Sequence, residues 1–230
     1  MAKKVFIAAG HGGKDPGAVA NGFKEKDVNL AIALACRQEL VRHGVVVCMS
    51  RTTDEDDKTR VKECNGFDPD YAIDIHNNAG GGDGAEIFHH HGGGKGKSLA
   101  QNVLNAIVAI GQNSRGLKTK KNVLGKDYYE FIRETKCPAI IVECAFLDNA
   151  KDVQIVDTSM EQKEMGIAIA KGTLKELGIA FKPEVEVDTS DAKVKELEAK
   201  VKTLQSEIVS LKQTITTLTN KINKAKADLA

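Results

Sequence analysis

Up to about Gly178 the chain alternates short β-branched runs with longer stretches whose apolar residues recur every three or four positions, and this alternation restricts the fold most. The runs KVFIAA, VVVCMS, YAIDIH, GAEIFH and AIIVEC read as buried strands, and DVNLAIALACRQELVRHG, Leu99 to Ile110 and Met165 to Leu177 read as helices. Strands alternating with helices predict an α/β domain with a mostly parallel sheet covered by helices on both faces. Asp27 is the expected N-cap of the first helix, and Gly44 the residue that stops it.

The pattern changes after FKPEVEVDTSD, because the chain has no glycine or aromatic residue beyond Phe181. Apolar residues then recur at alternating steps of three and four: Val194, Leu197, Val201, Leu204, Ile208, Leu211, Ile215, Leu218, Ile222, Ala225 and Leu229. β-Branched residues dominate one heptad position and leucine the other, a choice that favours a parallel two-stranded coiled coil. The expected organisation is a catalytic domain over residues 1–179, a linker over 180–190 and a coiled-coil helix over 191–230 that makes a homo-oligomer, a parallel dimer, through residues 194–229.

Charge excludes some partners. The 33 basic and 32 acidic residues divide evenly about Phe181, 24 against 24 up to it and 9 against 8 after it, so no basic footprint for nucleic acid exists. The apolar stretch in MAKKVFIAAGHGG is too short for a signal-peptide core or a membrane span. Synthesis in the cytoplasm without a signal peptide, and no stable membrane insertion, are the expectations. Cys36, Cys48, Cys64, Cys137 and Cys144 are odd in number and mostly lie in apolar runs, which fits reduced core residues.

Three candidate metal ligands stand where strands end or a helix begins: His11 after KVFIAAG, Glu25 in NGFKEKD, and His76 closing YAIDIH. Carboxyl ends of parallel strands share one edge of a sheet, so His11 and His76 converge there, with Glu25 beside them. Two imidazoles and a carboxylate leave one position of a tetrahedral zinc open for water. Glu143, ending AIIVE, emerges at the same edge and suits a catalytic general base that passes a proton from water to a leaving amine. The glycines of GHGGKDPGA allow backbone to approach a ligand closely.

With these residues named, the chain resembles the zinc-dependent N-acetylmuramoyl-L-alanine amidases, the type that includes bacterial cell-wall autolysins and many phage endolysins. The resemblance runs from about Val5 to Leu177 and rests on AAGHGGKDPGA, GFKEKDVNLAIAL, DIHNNA, GAEIF and PAIIVECAFLDN, in that order. It implies a twisted, roughly six-stranded sheet, Zn2+ held by His11, Glu25 and His76, and Glu143 as the catalytic glutamate. It further implies peptidoglycan as substrate, cut between N-acetylmuramic acid and the L-alanine of the stem, with action on the cell wall after release from the cell. Asp74, Asn77 and Cys144 depart from the family, which commonly has small residues there. Asp74 points the same way as His76 by strand alternation and could support that ligand; Cys144 points away from Glu143.

Other polar groups read as structural. His89, His90 and His91 are consecutive and cannot all face one ion from a strand, so a strand end entering a loop is expected, with room for one histidine to rim the groove. His43 sits at a helix end, and Asp54, Glu55, Asp56 and Asp57 suit a solvated helix N-terminus. Tyr128, Tyr129 and Phe131 pack a short helix, Tyr129 or a neighbour lining the groove near Glu143. Two rivals to the amidase are a peptidoglycan-binding structural protein that does not cut, and a zinc peptidase acting on small peptides.

Overall fold

A computed structural model describes residues 2–183 and 191–227. In chain order the elements are β1 (Lys4–Ala9), β2 (Val19–Ala20), β3 (Phe23–Lys24), α1 (Glu25–Arg42), β4 (Val46–Met49), α2 (Arg60–Phe67), β5 (Tyr71–Asn78) and β6 (Ala85–His89). They continue with α3 (Gly94–Val108), β7 (Ser114–Lys118), α4 (Glu130–Glu134), β8 (Ala139–Phe146), a 3-10 turn (Asp152–Ile155), α5 (Ser159–Glu176) and α6 (Asp191–Ala227). Two compact units result, Met1–Lys182 and Pro183–Ala230.

Six strands form one sheet in the order β4-β1-β5-β8-β6-β7. The first four are mutually parallel, whereas β6 runs antiparallel to β8 and carries β7 parallel to itself. The period of two assigns alternate side chains to opposite faces. Val5, Ile7 and Ala9 of β1 are buried with the apolar faces of α1, α3 and α5, while Phe6 and Ala8 meet Cys64 of α2 and Phe131 and Ile132 of α4. One face therefore carries three long helices and the other only two short ones. On β8, Ile140, Val142 and Cys144 join the thick side and Ala139 and Ile141 the thin side, so Cys144 does point away from Glu143.

Helix α5 is held tightly against its neighbours by two glycines. A Cβ on Gly166 would lie 2.5 Å from the Ile32 carbonyl oxygen of α1, and one on Gly172 would lie 2.5 Å from the Val103 Cα of α3. The helix opens on a capping box, with Thr158 and Glu161 each satisfying the other's backbone amide. Helix α1 departs from expectation: it begins at Glu25, and Asp27 lies in its first turn. Backbone replaces a side-chain cap there, because the Glu25 and Lys26 amides donate to the carbonyls of Ala18 and Pro16 at 2.8 and 3.1 Å.

In the second unit, α6 exposes Val194, Val201, Leu204, Ile208, Leu211, Ile215 and Leu218 at heptad spacing. Linker residues 184–190 and Leu229 lie outside the described residues, as do the side chains of Leu197, Ile222 and Ala225. Among the described residues no helix is long and apolar enough to cross a membrane. All five cysteines are free thiols, three of them buried.

Candidate metal centre

Register brings the predicted residues to one edge. Ala9 of β1 pairs with Ile75, and His76 pairs with Glu143 of β8, so both side chains share the thin face. Gly10 follows directly, and a Cβ there would sit 2.2 Å from the His76 ring. Gly17, at φ 63, crosses Glu25 and His11 so closely that a Cβ would lie 2.5 Å from Glu25 Oε2. These two contacts explain the glycines of the motif as close approach rather than turn-making alone. His11 adopts φ 63, a left-handed conformation that costs a non-glycine residue about 1–3 kcal/mol.

Glu25, the first residue of α1, lies between the two imidazoles. His11 Nε2 is 3.1 Å from Glu25 Oε2, and His76 Nδ1 is 3.0 Å from Oε1. The rings meet edge to face at 5.0 Å, and the three donor atoms lie within 4.8 Å of one another. Each histidine meets another carboxylate on its far nitrogen: His11 Nδ1 lies 2.8 Å from Asp15 Oδ2, and His76 Nε2 lies 3.2 Å from Asp74 Oδ1. Asp74 is completely buried and its second oxygen is 3.3 Å from Arg60 Nε. Neither Asp74 oxygen has well-formed hydrogen-bond geometry, so it acts on His76 and Arg60 chiefly through charge.

Several supports carried no signal in the sequence. Asn29, one turn after Glu25, donates to Gly10 O at 3.0 Å and to Glu25 Oε1 at 3.2 Å, and its own oxygen accepts from Asn77. Asn77, a departure from the family, is thus the outer member of a buried network that fixes Glu25. Arg51 Nε donates to Ala9 O at 2.8 Å, pinning the end of β1. The acidic run is not a solvated helix start: Asp54 accepts the Gly13 amide, Asp56 that of Lys14, and Asp57 is buried beside Arg60.

Charges follow from this packing. Burial pushes the Glu25 carboxyl up, but hydrogen bonds from His11 and His76 overcome it and hold the group well below the carboxylate range. His11 is raised chiefly by Glu25; His76 is pulled down by burial and raised well above the ordinary range by the Asp74 charge. Glu143 is raised to about 7, first by burial. Its Oε2 is buried and unpartnered.

Zinc fits this donor set. Bonds of about 2.0–2.1 Å in a tetrahedron need neighbouring ligand atoms roughly 3.3 Å apart, and one ligand atom each from His11, Glu25 and His76 already lies within 4.8 Å of the other two. Each outer nitrogen already faces a carboxylate, hydrogen-bonded for His11 and electrostatic for His76, which suits ligating histidines. Beside the cluster, a cleft of about 260 Å³ is lined by His11, His76, Tyr129, Ile141 and Glu143 among others. A roomier apolar depression, about 580 Å³ between α3, α5 and Phe181, shares no residue with it. His43 belongs to that end of the fold, stacked on Phe181 and accepting the Lys182 amide.

Comparison with known proteins adds descent to this geometry. The N-acetylmuramoyl-L-alanine amidase family model matches residues 5–175. The chain belongs to this amidase family. Amidase CwlM of Bacillus licheniformis is 34% identical over 184 residues, which are 77% of this chain and 68% of that protein. The endolysin of Bacillus phage SPP1 is 29% identical, over 85% of this chain and 75% of its own. The crystal structure of an N-acetylmuramoyl-L-alanine amidase from Clostridium difficile 630 superposes with a TM-score of 0.70 at 31% identity, covering 77% of this chain and 97% of that one.

Proposed function

We propose that this amidase is zinc-dependent and of the endolysin type, hydrolysing the amide between N-acetylmuramic acid and L-alanine in peptidoglycan. The carrying observation is the convergence of His11, Glu25 and His76 beside the buried, unpartnered carboxyl of Glu143. His11, Glu25 and His76 hold the zinc, which supplies a Lewis acid for the scissile carbonyl and for the attacking water. Glu143 takes the proton of that water and delivers it to the nitrogen that leaves as the new amino terminus of L-alanine. Its poise near 7 suits a group that must both accept and release a proton at neutral pH. Digestion of purified peptidoglycan tests the assignment: new L-alanine amino termini are expected, and cleavage elsewhere in the stem, or only of free small peptides, would replace it with a peptidase.

The exposed heptad residues of α6 support a second element of the reading, a parallel coiled-coil dimer that raises avidity for an insoluble, repetitive wall. A chain ending at Lys182 is expected to run as a monomer where the full chain runs as a dimer, and to lyse walls less well. The same number of chains per particle in both forms, with unchanged lysis, would remove the dimer.

A further inference from the structure

His89, His90 and His91 diverge in the structure. His89 is buried at the end of β6, whereas His90 and His91 turn toward Asp127, a residue from the loop ahead of α4. His90 Nε2 lies 3.0 Å and His91 Nδ1 2.8 Å from the same Asp127 Oδ2. The two rings stack at 4.6 Å, and the three ligand atoms fall within 4.8 Å of one another. Asp127 is buried, and its other oxygen is occupied by the His91 amide at 2.9 Å, which fixes the carboxylate and aims Oδ2 at the imidazoles. Two imidazoles and a carboxylate repeat the donor set of the first centre, on residues that share none with it.

We propose that His90, His91 and Asp127 form a second binding site, for a divalent transition cation of the zinc, cobalt or nickel kind. Imidazole nitrogen with one carboxylate oxygen selects such ions over magnesium and calcium, which prefer oxygen throughout. A cavity of about 470 Å³, bounded by the three ligands with Gly125, Lys126, Arg133 and Glu134, leaves room for water to complete the coordination. Binding replaces the contacts of His90 Nε2 and His91 Nδ1 with Asp127 Oδ2, the His91 proton moving to Nε2, and breaks one further hydrogen bond. The Gly92 amide donates to His90 Nδ1 at 3.0 Å, which places the proton of neutral His90 on Nε2. Cation uptake moves that proton to Nδ1 and releases the exposed Gly92 amide to water. The ion ties the end of β6 to the segment Asp127–Tyr129, whose Tyr129 lines the cleft beside Glu143. Its role is to hold the cleft wall in place, and it takes no part in proton transfer.

Zinc titration of untagged, metal-stripped full-length protein tests the site. Wild type should bind two equivalents, His90→Gln/His91→Gln one, and His76→Ala one, the last retaining the equivalent that the double variant lacks. In the double variant, protease cleavage between residues 121 and 129 should no longer slow when zinc is added. Both histidines are exposed, so the double variant is expected to fold, and Asp127→Asn, judged by the same count, provides a second route to the result. Equal stoichiometry in wild type and double variant would overturn the proposal. Loss of an equivalent in the double variant but none in His76→Ala would leave this site standing and overturn the first centre instead.

Discussion

Glu143→Gln separates the two consequences of burying a carboxyl beside the centre. Burial holds Glu143 at about 7 against an ordinary 4.5. The raised value means that the folded state retains the proton longer, so the associated stability is complete below about pH 4.5 and is lost as pH rises through about 7. Between about pH 5 and pH 8 the metal-free wild type should lose about 2.5 kcal/mol from this one group. The glutamine variant lacks that loss. Its unpaired amide carries a penalty of its own, but the penalty is the same at both pH values and cancels in the difference. For a unit of this size 2.5 kcal/mol corresponds to about 5–10 °C in Tm. Thermal melts of both chains in excess chelator should therefore show the variant gaining on wild type by that amount from the acid to the alkaline buffer. The same substitution should reduce amidase turnover at least about 100-fold, the typical contribution of general acid–base catalysis. A constant Tm difference across pH would refute the buried, proton-retaining carboxyl, and substantial turnover in the variant would refute its role as base.

Asp74→Ala should weaken zinc binding about 10–100-fold, because it removes the charge behind His76 Nε2; chelator competition measures this, and unchanged affinity would reduce Asp74 to a partner of Arg60. Gly166→Ala should lower stability by about 1–3 kcal/mol, since its Cβ would collide with the Ile32 carbonyl, and a melt no lower than wild type would show that α5 can draw back from α1. Gly17→Ala should abolish zinc binding while leaving most of the secondary structure, because both its φ and its contact with Glu25 forbid a side chain. Metal content beside circular dichroism checks it, and retained zinc would contradict the close approach.

Much of the centre was legible because its principal residues end or begin elements. His11 and His76 follow apolar strand runs, Glu143 closes another, and Glu25 opens a helix, so strand period and the shared edge of a parallel sheet suffice to bring them together. Asp74, behind His76, was legible from the same strand alternation, but other supporting residues were not. Asn29 reaches Gly10 and Asn77 only once α1 lies against the sheet, and Arg51 reaches Ala9 from the loop after β4. The N-cap of α1 was misplaced by three residues, Asp27 for Lys24, because carbonyls of Pro16 and Ala18 cap the helix, and backbone caps leave no mark in composition. GAEIFH was readable as a strand, but its reversed direction depends on pairing with β8, and SRGLK in β7 has no apolar pattern to announce it. His90 and His91 looked idle because Asp127 is 36 residues distant in sequence from His91.

The central claim is tested most directly by counting tightly held zinc and new L-alanine amino termini together, in the His90→Gln/His91→Gln background. The active chain, its Glu143→Gln form and its His76→Ala form are each treated with peptidoglycan, with and without chelator. One zinc per chain is expected in the first two and none in the third, with release only from the first and only without chelator. Undiminished release from the zinc-free His76→Ala chain would contradict the centre described here.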